Sequence, residues 1–143
     1  MRIADILSKK GSAVVTISSG SNVAEATAEL ARHGIGALVV SEDGYRIDGI
    51  VSERDIVRRL AEDPDSLLQR PVTSIMSSPV HTCAPEDDVE RVMATMTNQR
   101  VRHVPVARDR TLCGIVSIGD VIKSRIEELQ RDHKLLVEYI SAR

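Results

Sequence analysis

Gly114-Ile115-Val116-Ser117-Ile118-Gly119-Asp120 is the stretch on which the fold turns. Gly114-Ile115-Val116 reads as the end of a buried strand, Ser117 as a turn, and Val121 and Ile122 as the start of an apolar helical face. The same corner occurs earlier as Gly49-Ile50-Val51-Ser52-Glu53-Arg54-Asp55, with Gly, Ser and Asp each displaced by 65 positions. A hydroxyl and a carboxylate three residues apart at such a corner have two jobs open to them. They cap the helix as a shortened capping box, or they hold a polar ligand at its N-terminus.

The flanking residues repeat too. Ile3-Ala4-Asp5-Ile6-Leu7 is echoed by Val72-Thr73-Ser74-Ile75-Met76, and the β-branched run Val14-Val15-Thr16-Ile17 by Val80-His81-Thr82-Cys83. Ser21 or Asn22 caps an amphipathic helix over about 22–33 that Gly34 ends, and Asp87 or Asp88 caps its counterpart carrying Val89, Val92, Met93 and Met96. Ala37-Leu38-Val39-Val40 and Val104-Pro105-Val106 are short buried strands. Glu42-Asp43-Gly44 and Asp109-Arg110 are the turns before the return strands Ile47–Val51 and Leu112–Val116. Pro105 lacks a backbone donor, which predicts a short strand or an unpaired edge there.

The expected fold class is therefore α+β: two tandem β-α-β-β-α units, offset by 65 to 69 residues, packed with pseudo-two-fold symmetry. One unit of about 60 residues buries a poor fraction of its surface, and two share a core. The boundaries read 1–62 for the first repeat, 63–71 for a linker opened by Asp63-Pro64-Asp65, 72–128 for the second repeat and 129–143 for a helical extension. The last helix, about 118–140, carries Val121, Ile122, Ile126, Leu129, Leu136 and Ile140 mostly on one side. That surplus apolar face favours a homodimer over a helix folded back on its own domain.

Composition narrows the function. Apolar residues make up 42% of the 143, with no Phe or Trp, and Tyr45 and Tyr139 are the only aromatics. Stacking on single-stranded bases is thus disfavoured. A formal charge of −2 without a basic stripe makes nucleic acid an unlikely partner. No apolar run approaches the roughly 20 residues of a membrane span, and Met1-Arg2-Ile3-Ala4-Asp5 has no signal-peptide core, so the default location is cytoplasmic. Cys83 and Cys113 read as reduced, buried small hydrophobes, with a redox pair as the alternative. His33, His81, His103 and His133 lack metal-ligand spacing, so no metal site is expected. No nucleophile–base pair or phosphate-cradling Gly-rich loop points to catalysis, and no catalytic cofactor is expected.

The duplicated unit with Gly-Ile-Val-Ser-x-x-Asp at each strand–helix corner resembles the CBS domain, and two in tandem resemble a Bateman module. The resemblance covers about 2–128. The Gly-Ile-Val-Ser-Glu-Arg-Asp version is similar to stand-alone bacterial two-repeat proteins of the signal-transduction type. The family implies a regulatory sensor that binds AMP, ADP or ATP, and in some members NAD(H) or S-adenosylmethionine, in two clefts between the repeats. It implies that the motif aspartate holds the ribose hydroxyls and that the motif serine lies near ribose or phosphate. The regulated partner is left unidentified.

The chemistry suits that role. A carboxylate accepts from a vicinal diol, and a helix N-terminus favours phosphate, but the carboxylate itself opposes phosphate, so cations must neutralise the site. Arg102-His103 precede the second repeat's middle strand where Gly36-Ala37 precede the first's, and Arg54 has Gly119 as its counterpart. By match to the family, one cleft should hold Asp120, Ser117, Arg102 and His103, with a base wall from Ser12, Val14, Ile35, Gly36 and Ala37. The other should hold Asp55, Ser52 and Arg54, with a base wall from Ser78, Val80 and Val101. The Asp120 cleft is expected to suit a mononucleotide better. The competing expectation is a structural dimerisation protein with unoccupied clefts.

Overall fold

The computed structural model describes residues 1–142. Its elements run α1 (Ile3–Lys10), β1 (Thr16–Ile17), α2 (Val23–His33), β2 (Ala37–Val40), β3 (Gly49–Ser52), α3 (Glu53–Glu62), α4 (Val89–Gln99), β4 (His103–Arg108), β5 (Thr111–Ser117) and α5 (Ile118–Ser141). Short 3-10 turns at Leu67–Gln69 and Val72–Ser74 join the halves. The tandem mixed α/β architecture and the long last helix match the sequence expectation.

In the first repeat β1 pairs parallel with β2, and β2 antiparallel with β3. In the second, β4 pairs with β5, and the expected strand over 80–83 shrinks to a single parallel bridge between Cys83 and Val106. Pro105 explains the loss. In repeat 1, β2 reaches β1 through Val39 N–H to Val15 O (3.4 Å) and Ser41 N–H to Ile17 O (2.9 Å). The second repeat keeps the equivalent of the latter, Ala107 N–H to Cys83 O at 2.8 Å. Its equivalent of Val39 is Pro105, which has no N–H to give to His81. The edge foreseen as unpaired at Pro105 is thus half paired: its carbonyl accepts from Cys83 N–H at 3.1 Å, but it has no N–H to donate. β4 is nonetheless six residues long, because its other edge is fully paired to β5.

Local chemistry sets the ends of the elements. Asn22 Oδ1 accepts from Glu25 N–H at 2.9 Å and caps α2. Asp88 occupies the N-cap of α4 without a side-chain bond, while Asp87 instead accepts from Ala84 N–H at 2.9 Å. Asp109 and Arg110, both at positive φ, form the two-residue turn between β4 and β5. The Glu42-Asp43-Gly44 turn opens into a longer loop, held by Asp43 Oδ1 accepting from the N–H groups of Tyr45 and Arg46.

In place of the one shared core expected, two aliphatic cores form, and the segment that enters each repeat packs into the core of the other. Ile3 and Ile6 of α1 join Val89, Val92, Met96, Val104, Val116 and Val121. Leu67, Val72 and Ile75 join Val23, Leu30, Leu38, Val51 and Ile56. Full burial of each such side chain is worth roughly 1.5–3 kcal/mol, so this exchange locks the repeats together. The motif glycines are where the exchanged segments land. Leu7 rests on Gly114, and Met76 rests on Gly49. Cys83 and Cys113 lie on opposite sides of β4, two strand spacings or about 9.6 Å apart, which is beyond disulfide reach. Burial, then the charges of Asp87 and Cys113, push the Cys83 thiol up to about 12.

Candidate functional site

Both corners form the expected caps. Ser52 Oγ accepts from Asp55 N–H at 3.2 Å, and Asp55 Oδ2 accepts from Ser52 N–H at 2.9 Å. Ser117 and Asp120 do the same at 3.2 and 2.9 Å. Oδ1 of each carboxylate takes no hydrogen bond among the described residues. Capping and ligand binding are thus compatible at both corners. Each helix start is tied to the opening of its repeat's middle strand, Glu53 N–H to Gly36 O at 2.9 Å and Ile118 N–H to Arg102 O at 2.8 Å.

Beyond the caps the two corners diverge. Asp55, Ser52 and Arg54 open into a cavity of about 550 Å³ that Val80, Val101, Arg102 and His103 also line. Ligand pockets for small molecules run from roughly 300 to 1,000 Å³, and this cavity falls within that range. The cavity beside Asp120 measures about 120 Å³ and faces α1. There the Lys10 ammonium donates to Asp120 Oδ2 at 2.7 Å and to Ile115 O at 2.9 Å. Burial raises the Asp120 carboxyl, but the hydrogen bonds and charge of Lys10 and the bonds from Ser117 outweigh it and hold it below the usual carboxylate range.

Arg102 and His103, expected with Asp120 and Ser117, stand between the two corners. Both side chains line the Asp55 cavity. The reason is the crossing of the repeats: the start of β4 faces the N-terminus of α3 across the pseudo-two-fold. His103 also pairs in backbone register with Ser117 and stays close enough to Asp120 to feel its charge. Burial lowers its pKa below the usual histidine value, against the raising charges of Glu53 and Asp120 and with the lowering ones of Lys10 and Arg102.

The remaining expected residues divide as follows. Ser77 and Pro79 line the Asp55 cavity in place of Ser78. Ile35 and Gly36 line a separate groove of about 530 Å³ with Glu53 and Val57. Ser12 is exposed, Val14 half-buried and Ala37 buried, and none of them joins Asp120 in its 120 Å³ cavity. Sequence reasoning missed Lys10, Glu53, Arg58, His81 and Arg100. Arg58 was within reach, one helical turn beyond Arg54 on the same face.

A family model described as CBS domain matches residues 3–62 and 72–127. The chain belongs to the CBS-domain family. The CBS domain-containing protein CBSX3, mitochondrial, of Arabidopsis thaliana is 33% identical over 146 residues, spanning 96% of this chain and 71% of that protein. A CBS-domain containing protein from Agrobacterium tumefaciens superposes with a TM-score of 0.84 at 38% identity, over 87% of this chain and 99% of that one. A CBS domain protein from Pyrobaculum aerophilum, complexed with AMP, superposes with a TM-score of 0.74 at 31% identity, over 84% and 89%. Among the described residues no helix of this CBS-domain chain is long and apolar enough to cross a membrane.

Proposed function

We propose that this CBS-domain pair is a regulatory module that binds an adenine nucleotide in the Asp55 cavity and passes its occupancy on through a homodimer. The observation that carries this is a capped carboxylate at a helix N-terminus, opening with several guanidinium groups into a nucleotide-sized cavity. The carboxylate accepts from the ribose diol, the guanidinium groups neutralise phosphate, and Ile50, Val80 and Val101 offer apolar surface to a base. The AMP complex of the Pyrobaculum relative supports the ligand class. NAD(H) and S-adenosylmethionine share the same adenosine half. The role is regulatory rather than catalytic, with the output going to a partner protein.

The route to the dimer is physical. α3 starts beside Asp55 and α5 at Asp120, and both carry exposed apolar residues: Val57 and Leu60 on α3, Ile122, Ile126 and Leu129 on α5. Val57 and Ile122 are 65 residues apart, so the internal repeat generates one continuous pseudo-symmetric face. Val57 also lines the cavity, which puts the ligand and the dimer face on one helix. The alternative, a structural dimerisation protein, rests on the same apolar face with an empty cleft. Isothermal titration with AMP, ATP, NADH and S-adenosylmethionine separates them. Heat with an adenine nucleotide supports the sensor, and silence with all four leaves the structural reading.

A further inference from the structure

The two repeats place their cations very unequally. Arg54 and Arg58 of α3 correspond to Gly119 and Lys123 of α5. Across the cavity, Arg100, Arg102 and His103 correspond to Gly34, Gly36 and Ala37. The Asp55 cavity thereby collects four guanidinium groups against the carboxylates of Glu53 and Asp55. None of the four makes an ion pair among the described residues. A monophosphate and one ribose do not need four free cations.

Arg100 adds an independent observation. The helix cap after α2 is left-handed at Gly34, with φ 62 and ψ 39. The equivalent cap after α4 has the same geometry, φ 54 and ψ 40, yet carries Arg100. A side chain with a Cβ is disfavoured in that conformation, and glycine is the usual occupant. Repeat 1 shows that glycine serves the turn. A strained residue whose side chain lines a cavity points to a function that the strain serves.

Building on the nucleotide reading above, we infer that the Asp55 cavity selects an adenine nucleotide bearing two or more phosphates, and that Arg58 and Arg100 are its specificity-determining residues. Asp55 fixes the ribose, and Arg54 and Arg102 flank the first phosphate. Arg58 and Arg100 then supply the charge that only a longer phosphate chain reaches. All four are exposed at the cavity wall, so the discrimination is screened by salt.

The test is isothermal titration of the full chain with adenosine, AMP, ATP and inorganic tripolyphosphate, in EDTA at low and high salt. The parent should bind ATP about tenfold tighter than AMP at low salt, with a smaller ratio at high salt. Arg58→Gln and Arg100→Gly should each weaken ATP by several-fold more than they weaken AMP, so that the ATP-to-AMP ratio falls toward one. Arg100→Gly should also raise Tm by about 2 °C, since it relieves the left-handed strain. That combination, a more stable protein with a weaker ATP site, is one that a merely structural Arg100 does not give. AMP binding as tightly as ATP overturns the inference and leaves nucleotide binding standing. Tripolyphosphate matching ATP overturns it as well, since the cavity is then a polyanion site without nucleoside recognition. Silence with adenosine, AMP and ATP alike removes the nucleotide reading itself.

Discussion

The Lys10 ammonium lies 2.7 Å from Asp120 Oδ2, while Asp55, the symmetry mate of Asp120, has no cation paired to it among the described residues. The cause is in the chain entries. The offset between repeats is 69 at Ile3 and Val72 but 66 at Val14 and Val80, so the first repeat's entry is three residues longer. The extra length lets α1 run two turns and lay Lys10 over the second motif, whereas the second entry is only a 3-10 turn at Val72–Ser74.

Lys10→Met should therefore open the second cleft. Titration with ATP should rise from about one toward two nucleotides per chain, and Asp120→Ala in the parent should change ATP affinity less than about threefold. The partly exposed ion pair is worth about 1 kcal/mol, so the variant should fold. A stoichiometry that stays at one in Lys10→Met would show that something other than Lys10 closes this cleft. The pH sign follows from the lowered Asp120 pKa. Its contribution to stability is present above the unfolded carboxylate value and fades as pH falls through the lower folded value. The parent should thus lose more of its Tm in acid than Lys10→Met does.

His103 gives a second pH effect. Burial holds its pKa below the ordinary 6.5, with Glu53 and Asp120 raising it and Lys10 and Arg102 lowering it. In the free protein, stability is full above 6.5 and falls as pH drops toward the folded value, because the unfolded chain takes up the proton first. A bound polyphosphate reverses the local field and raises the pKa. ATP affinity should increase as pH falls from 8 to about 6, with proton uptake seen as a buffer-dependent titration enthalpy. In His103→Gln that uptake should vanish.

Gly49 and Gly114 are fixed by packing rather than by backbone freedom. A Cβ on Gly49 would collide with Met76 Sδ and lie 3.1 Å from Ser77 O, and one on Gly114 would sit 2.8 Å from Leu7 Cδ1. Gly49→Ala, crowded by Met76 and by the Ser77 backbone, should cost about 1–3 kcal/mol, read as a lower denaturant midpoint with an unchanged m-value, and Gly114→Ala should cost less, since only the mobile end of Leu7 has to give way. A neutral Gly49→Ala would mean that the linker does not pack against β3 as described.

The apolar face of α5 makes a fourth prediction. Ile126→Glu combined with Leu129→Glu places charge on residues that are half exposed in one chain, at 49% and 51%. Sedimentation should show a dimer for the parent and a monomer for the double variant, with monomer stability changed by less than about 1 kcal/mol. A parent that sediments as a monomer would remove the homodimer from the proposal.

The sequence made the repeat, the strand–helix corners and the Ser–Asp caps legible because each rests on a local pattern. What it left unread was set across the repeats. Arg102 and His103 stand at the opening of β4, and the match to the family grouped them with Asp120, but the crossing of the repeats brings them to the Asp55 cavity. The strand expected at 80–83 is cut to one bridge because Pro105 lacks the N–H that would have extended it, and His81 lines the cavity. Arg100 was hidden in plain view, since only its alignment with Gly34 marks it as out of place. Lys10 reads as an ordinary surface lysine until α1 is seen to pack on the second core.

Calorimetric titration of the parent and Asp55→Ala with ATP goes to the centre of the matter. A nucleotide-binding Asp55 cavity predicts about one ATP per parent chain and at least a tenfold loss in Asp55→Ala, in keeping with the loss of hydrogen bonds to a charged acceptor. Equal ATP binding by the two proteins, or none by the parent, would contradict it.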